Sequence, residues 1–164
     1  MLLYHAMQRH QVFVILHNIR SAENVGAIFR TADAAGVKKI FLTGYTPLPI
    51  DRFGRIQSKI HKTALGAETH VPWEHVSSVA ALIRLLSKEG TGVVAVEQDK
   101  KAKDYKRFPL KRPTAFLFGN EVRGISKQLL RQCSAVIEIP MRGKKESLNV
   151  SVSAGVILFR ALDR

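Results

Sequence analysis

Residues 12–36 read VFVILHNIRSAENVGAIFRTADAAG, and this stretch decides the fold class. Val12 to Leu16 is a short run of β-prone apolar residues with polar ends, which reads as a buried strand. A few residues on, Val25, Ile28, Phe29 and Ala32 fall at i, i+3, i+4 and i+7. That spacing predicts one face of a helix from Asn24 to Ala35, stopped by Gly36. A strand buried on both faces and followed at once by an amphipathic helix is the unit of a parallel α/β sheet.

Working outward, the unit repeats. Strands are predicted at Lys39–Leu42, Gly92–Val96, Thr114–Phe118 and Ala135–Ile139, the last closed by Pro140, with a short extended piece over His70–Trp73. Arg55 to Leu65 is weakly helical and basic. Val79, Leu82, Ile83 and Leu86 carry helical spacing up to Gly90. Ser126 caps a short helix to Gln132, and Asn149 to Leu162 forms a C-terminal helix. The expected fold is therefore α/β, a mostly parallel sheet with helices on both faces. Such sheets bind ligands at the carboxyl ends of their strands. Asp99 to Arg112 reads as a charged loop, with five lysines and two arginines.

Composition narrows the function. The 164 residues suit one domain, and 46% hydrophobic content excludes disorder as the main state. No apolar run is long enough to cross a bilayer, and polar residues from Gln8 to Gln11 interrupt any signal-like N-terminus. The lone Cys133 forms neither an intrachain disulfide nor a zinc site by itself, which suits a reducing cytosol. Lys plus Arg number 26 against 13 Asp plus Glu, a net charge of +13. A compact domain with that surplus attracts polyanions, and nucleic acid is the leading candidate.

The common nucleotide motifs fail. No G-x-G-x-x-G follows the first strand. Gly119 to Ser126 comes near a P-loop, but Ile125 stands in the place of its lysine. The six histidines are scattered, so no metal is expected, and no G-x-S-x-G nucleophile turn exists. Three polar strand ends remain. The first holds Asn24 at the predicted helix start, Gly26 and Arg30. Gly26 admits either another backbone or a ligand, and the segment also reads as an N-cap with a surface arginine. The second is Gly119-Asn120-Glu121-x-x-Gly124-Ile125-Ser126, where Glu121 is either a hydrogen-bond acceptor or a plain turn residue. The third runs from Ile139-Pro140-Met141 through Gly143 to Ser147-Leu148-Asn149-Val150-Ser151, where Ser147 or Asn149 can cap the next helix.

Taken together, these three segments resemble the SpoU (TrmH-like) family of RNA ribose 2′-O-methyltransferases, in the SPOUT superfamily. The likeness runs from about Val12 to Leu162. It implies a C-terminal deep trefoil knot, S-adenosylmethionine as cofactor, and a homodimer in which the arginine of the first motif reaches the partner's site. It casts Arg30, Asn24, Ser147 and Asn149 as the catalytic set. Val96, Gly119, Glu121, Ile139, Met141 and Leu148 become cofactor-binding, and Arg20, Lys144, Lys145 and the lysines between Lys100 and Lys111 face RNA. Residues 1–164 are expected to form a single methyltransferase domain with no separate RNA-binding extension, acting in the cytoplasm without membrane or metal. That leans toward tRNA as substrate. The alternatives are rRNA, methylation of a base nitrogen, and a non-catalytic RNA-binding protein that kept the fold.

Overall fold

A computed structural model describes residues 11–162. Seven parallel strands form one sheet: β1 (Val12–His17), β2 (Lys39–Thr43), β3 (Trp73–Val76), β4 (Gly92–Val96), β5 (Lys103–Asp104), β6 (Thr114–Phe118) and β7 (Ala135–Glu138). Their order across the sheet is β3-β2-β1-β6-β4-β7-β5. The helices are α1 (Ala22–Ala35), α2 (Ser58–Ala64), α3 (Ala67–His70), α4 (Val79–Lys88), α5 (Lys127–Leu130) and α6 (Val150–Leu162), with a 3-10 turn at Tyr105–Arg107.

The period-2 alternation of the central strands sorts their side chains into two cores. Val12, Val14, Leu16, Phe116 and Phe118 pack on one face, under Val25, Ile28, Phe29 and Ala32 of α1 and Ala154, Ile157 and Leu158 of α6. Ile15, Ala115, Leu117, Val93 and Ala95 point the other way, onto Val79, Leu82, Ile83 and Leu86 of α4. Burial of both faces explains why these strands are continuous apolar runs rather than alternating ones.

Four expectations need correction. Helix α1 begins two residues early, at Ala22, because the Ser21 hydroxyl accepts from the Asn24 amide and Ser21 is the cap. Asn24 is therefore the third residue inside the helix. The basic segment at Arg55–Leu65 is helical only over Ser58–Ala64, then breaks where Leu65 and Gly66 both take positive φ (52° and 90°). The extended piece lies further along, at Trp73–Val76, as an edge strand paired with β2. The charged loop contains β5, a two-residue strand against β7.

Candidate functional site

All strands run parallel, so β4, β6 and β7 deliver their loops to one end of the sheet. A cleft of about 300 Å³ opens there, within the size range of small-molecule sites. Val96, Gly119, Glu121, Ile139, Met141 and Leu148, the six residues assigned to the cofactor, all line it, and Ser147 does too. Glu97, Glu138 and Glu146 also line it. With Glu121 that makes four glutamates, and no lysine or arginine is among the lining residues. In a chain of net charge +13 this wall has the opposite sign to the rest.

The turn after β6 is built from inside. Asn120 Oδ1 accepts from the Val122 and Arg123 amides at 2.9 and 2.7 Å, and Nδ2 donates to the Asn18 carbonyl and the Tyr45 hydroxyl, each at 2.9 Å. Asn120 is buried, so these bonds offset its desolvation. Gly124 has φ of 64°, and a Cβ there would lie 2.4 Å from Glu97 Oε2. That carboxylate instead accepts from the Ile125 amide at 2.9 Å. A Cβ on Gly119 would meet Ile125 Cγ1 at 2.5 Å and Gly124 at 2.9 Å. Gly119 is thus required by the turn itself, and a side chain there would break the turn before reaching the cleft.

Three asparagine and glutamate side chains bring the three motifs together. Asn149 Oδ1 accepts from the Ser151 amide at 2.8 Å and so caps α6. That fixes its amide orientation, leaving Nδ2 to donate to Asn24 Oδ1 at 3.1 Å. Asn24 Nδ2 then donates to Glu121 Oε1 at 3.2 Å. Glu121 also accepts from the Arg20 amide at 2.9 Å and the Ser21 amide at 3.2 Å. Of the two readings of Glu121, the acceptor is the one the structure shows. Partial burial pushes its carboxyl up, but the bonds from Arg20, Ser21 and Asn24 outweigh this and hold it below the usual glutamate range. The charge also faces the positive end of α1.

Arg30 is not among the cleft residues. It is exposed, six residues beyond Asn24, which is about 9 Å along the helix axis and about a third of a turn around it. Arg20, Lys144 and Lys145 are exposed as well, the two lysines on the loop that edges the cleft. Gly26 serves a backbone rather than a ligand: its missing Cβ would fall 2.5 Å from the Ile60 carbonyl of α2. Cys133 offers no nucleophile, since burial pushes its thiol up to about 11. Among the described residues no group of His, Cys, Asp or Glu is arranged to hold a metal ion, and no helix is long and apolar enough to cross a membrane.

Sequence reasoning missed Glu97, Asn120 and Asn18. Glu97 carried a signal like that of Glu121, an acid close after an apolar strand: it is the first residue beyond β4, as Glu121 is the third beyond β6. Asn18, at φ of 57°, showed its only hint in the asparagine type, which tolerates the left-handed region. His17, beside it, donates from Nδ1 to Thr43 Oγ1 and accepts from Asn18 at Nε2. Burial lowers its pKa, in keeping with a neutral ring.

Comparison with known proteins follows the same lines. The profile of the SpoU rRNA Methylase family matches residues 11–159. The 23S rRNA (guanosine-2′-O-)-methyltransferase RlmB of Ralstonia nicotianae is 34% identical over 151 residues, covering 92% of this chain and 58% of that protein. An AdoMet-bound rRNA methyltransferase from Sinorhizobium meliloti superposes with a TM-score of 0.83 at 32% identity, over 92% of this chain and 55% of that one. A protein whose structure addresses 2-OH methylation of C/U34 on tRNA superposes at 0.78 with 28% identity, over 93% of this chain and 95% of that one. The chain spans 54–62% of the length of the curated relatives named first in similarity. With its three motifs hydrogen-bonded together beside one cleft, and its sheet and helices superposing on these enzymes, the chain belongs to the SpoU rRNA Methylase family.

Proposed function

We propose that this chain transfers a methyl group from S-adenosylmethionine to a ribose 2′-hydroxyl of RNA. The observation that carries the reading is the cleft: cation-free, walled by four glutamates, and joined to Asn24 and Asn149 of the other two motifs. Polyphosphate nucleotides need cations or a phosphate-cradling loop, and neither lines this cleft. A cationic sulfonium suits it, and Val96, Ile139, Met141 and Leu148 supply apolar surface for a flat base. The bound cofactor would supply an electrophilic methyl on sulfur, so the acceptor oxygen needs only positioning and loss of its proton.

In this reading Asn24, Ser147 and Asn149 orient the ribose at the mouth of the cleft. Arg30 comes from the partner subunit. Its guanidinium stays protonated, so it stabilises the developing alkoxide rather than taking the proton. The homodimer this requires is supported by Val152, Val156 and Phe159, an apolar stripe one and two turns apart on the outer face of α6, half or more exposed at its two ends and beside α1. Arg20, Lys144, Lys145 and the lysines near β5 hold phosphates. The deep trefoil knot belongs to the same proposal and rests on the superposition with SpoU enzymes. We favour tRNA, supported by the relative of matching length that concerns tRNA; the RlmB relatives favour 23S rRNA as the second reading. An RNA substrate and the lone thiol support a cytoplasmic location.

The test is transfer of tritiated methyl from S-adenosylmethionine to purified tRNA and to 23S rRNA, followed by alkaline hydrolysis. A 2′-O-methyl group protects the adjacent bond, so the label should emerge in an alkali-resistant dinucleotide. Label in a mononucleotide would mean base methylation. Cofactor binding without any transfer, or no cofactor binding at all, would overturn the enzymatic reading.

A further inference from the structure

The segment between β2 and α2 carries a feature that the methyl-transfer chemistry does not use. Residues 50–56 form a tight antiparallel loop, with Ile50 and Ile56 bridged. At its tip Phe53 is 67% exposed. The Arg52 guanidinium lies 4.7 Å from the centre of that ring and the Arg55 guanidinium 5.1 Å. Both distances lie within cation–π range, and both arginines are exposed.

The loop is braced by its own hydrogen bonds. Asp51 Oδ1 accepts from the Phe53 and Arg55 amides at 2.8 and 3.0 Å, and Oδ2 accepts from Arg55 Nε at 2.8 Å. The Asp51 amide donates to the Arg55 carbonyl and the Gly54 amide to the Asp51 carbonyl, each at 3.0 Å. Gly54 takes the left-handed conformation (φ 77°) that this closure needs. Holding a phenylalanine out in water beside two charges buries no apolar surface in the core. A preorganised platform does lower the entropy cost of binding.

The loop also stands at the working end of the sheet. It leaves β2 at the carboxyl end, as the cleft loops leave β4, β6 and β7. Its first turn is tied to the second motif through the Tyr45 hydroxyl and Asn120. We propose that Arg52, Phe53 and Arg55 form a stacking platform for an unpaired base of the RNA substrate, with the arginines reaching its flanking phosphates. Unpaired bases are recognised by stacking on aromatic rings and on guanidinium planes, whereas bases in a duplex are already stacked and closed to such contact. The proposal rests on the RNA-substrate reading above but not on methyl transfer.

The experiment uses the full chain, a fluorescein-labelled 20-nucleotide mixed-sequence single strand of RNA, and the same strand annealed to its complement. Phe53→Ala should weaken single-strand binding by about five- to hundredfold and leave duplex binding within about twofold. Phe53→Trp should keep the affinity. Arg52→Lys and Arg55→Lys should also lose single-strand affinity, because a point charge does not stack. With 2-aminopurine placed in the single strand, the wild type should quench its fluorescence and Phe53→Ala should not. Equal losses on single strand and duplex, full function in the lysine variants, or unchanged binding by Phe53→Ala would each overturn the platform. A change in sedimentation of Phe53→Ala would do the same, marking the loop as a protein interface. A wild type that quenches 2-aminopurine yet methylates no RNA would leave the platform standing and remove the enzymatic reading.

Discussion

Replacing Glu121 by Gln keeps the shape of the side chain and removes its charge. In the folded chain that carboxylate accepts from the Arg20 amide at both oxygens, from the Ser21 amide, and from Asn24 Nδ2, all between 2.9 and 3.2 Å. The variant keeps one carbonyl oxygen and turns an N–H group toward these donors. Charge-assisted hydrogen bonds contribute roughly 1.5–3 kcal/mol each, and a negative charge at a helix N-terminus about 0.3–1 kcal/mol. Glu121 is mostly exposed, so solvent screening reduces the total. A net loss of about 1.5–2.5 kcal/mol follows, or a fall in Tm of about 3–10 °C for a chain of this size. The pH dependence has a fixed sign. The folded-state pKa is depressed, so the contribution is complete above the unfolded-state value and disappears as pH falls through the folded-state value. Thermal unfolding of both proteins, followed by circular dichroism from neutral pH down through the carboxylate range, measures the gap. It should be widest near neutrality and narrow in acid. Equal Tm values at neutrality, or a gap that stays constant in acid, would refute the capping role. Adding Asn149→Ala should cost less methylation rate in the Glu121→Gln background than in the wild type, because Asn24 is already unmoored.

Four further outcomes follow from the same geometry. Gly26→Ala should destabilise by about 1–3 kcal/mol in urea unfolding despite alanine's helix preference, because the new Cβ meets Thr63 Oγ1 and the Ile60 carbonyl at 2.0 and 2.5 Å; any gain in stability would contradict the close packing of α1 on α2. Leu148→Arg puts a cation on the exposed rim of the cleft, and calorimetry should show S-adenosylmethionine weakened more than its neutral demethylated product, by about tenfold or more; equal losses would remove the electrostatic account. Changing Lys144 and Lys145 together to Ala should flatten the slope of log affinity for RNA against log salt by up to about two units, and an unchanged slope would place the phosphate contacts elsewhere. Arg30→Ala should cut the methylation rate by about a hundredfold or more with cofactor affinity intact, and mixing it with Leu148→Arg subunits, at a cofactor concentration that loads Arg30→Ala but not Leu148→Arg, should restore activity; continued inactivity despite proven subunit exchange would place Arg30 in its own chain's site.

How legible this site was depends on which interactions are local. Val12 to Leu16 and the Val25, Ile28, Phe29, Ala32 stripe were readable because their periodicity reports a burial that is close to complete: every one of these residues but Phe13 is buried. The start of α1 was misplaced by two residues because Ser21 and Asn24 are both good caps, and only the bond from the Asn24 amide to the Ser21 hydroxyl decides between them. β5 was invisible for a different reason. Two residues, Lys103 and Asp104, carry no period, and their pairing with Ile137 and Glu138 is a tertiary event. The motifs named Asn24, Glu121 and Asn149, yet the bonds joining them span 97 and 125 residues, a proximity that residue type alone does not encode.

Charge was the least local property of all. The surplus of +13 reads as attraction to a polyanion, but it averages over the whole surface. Glu97, Glu121, Glu138 and Glu146 are dispersed over residues 97–146 and become one wall only when β4, β6 and β7 set their ends side by side. The two signs then do separate work. On the proposed function, a basic exterior with Lys144 and Lys145 at the rim would draw RNA phosphates toward the cleft mouth, and the acidic wall would keep those phosphates out of it. A cationic ligand is drawn the opposite way, into the wall and away from the lysines. The two proposed substrates would thereby be sorted by charge before any base or ribose is read. The sorting weakens with ionic strength as the Debye length shortens toward a few ångströms, so high salt should raise the concentration of RNA needed for half-maximal rate more steeply than it raises that of the cofactor.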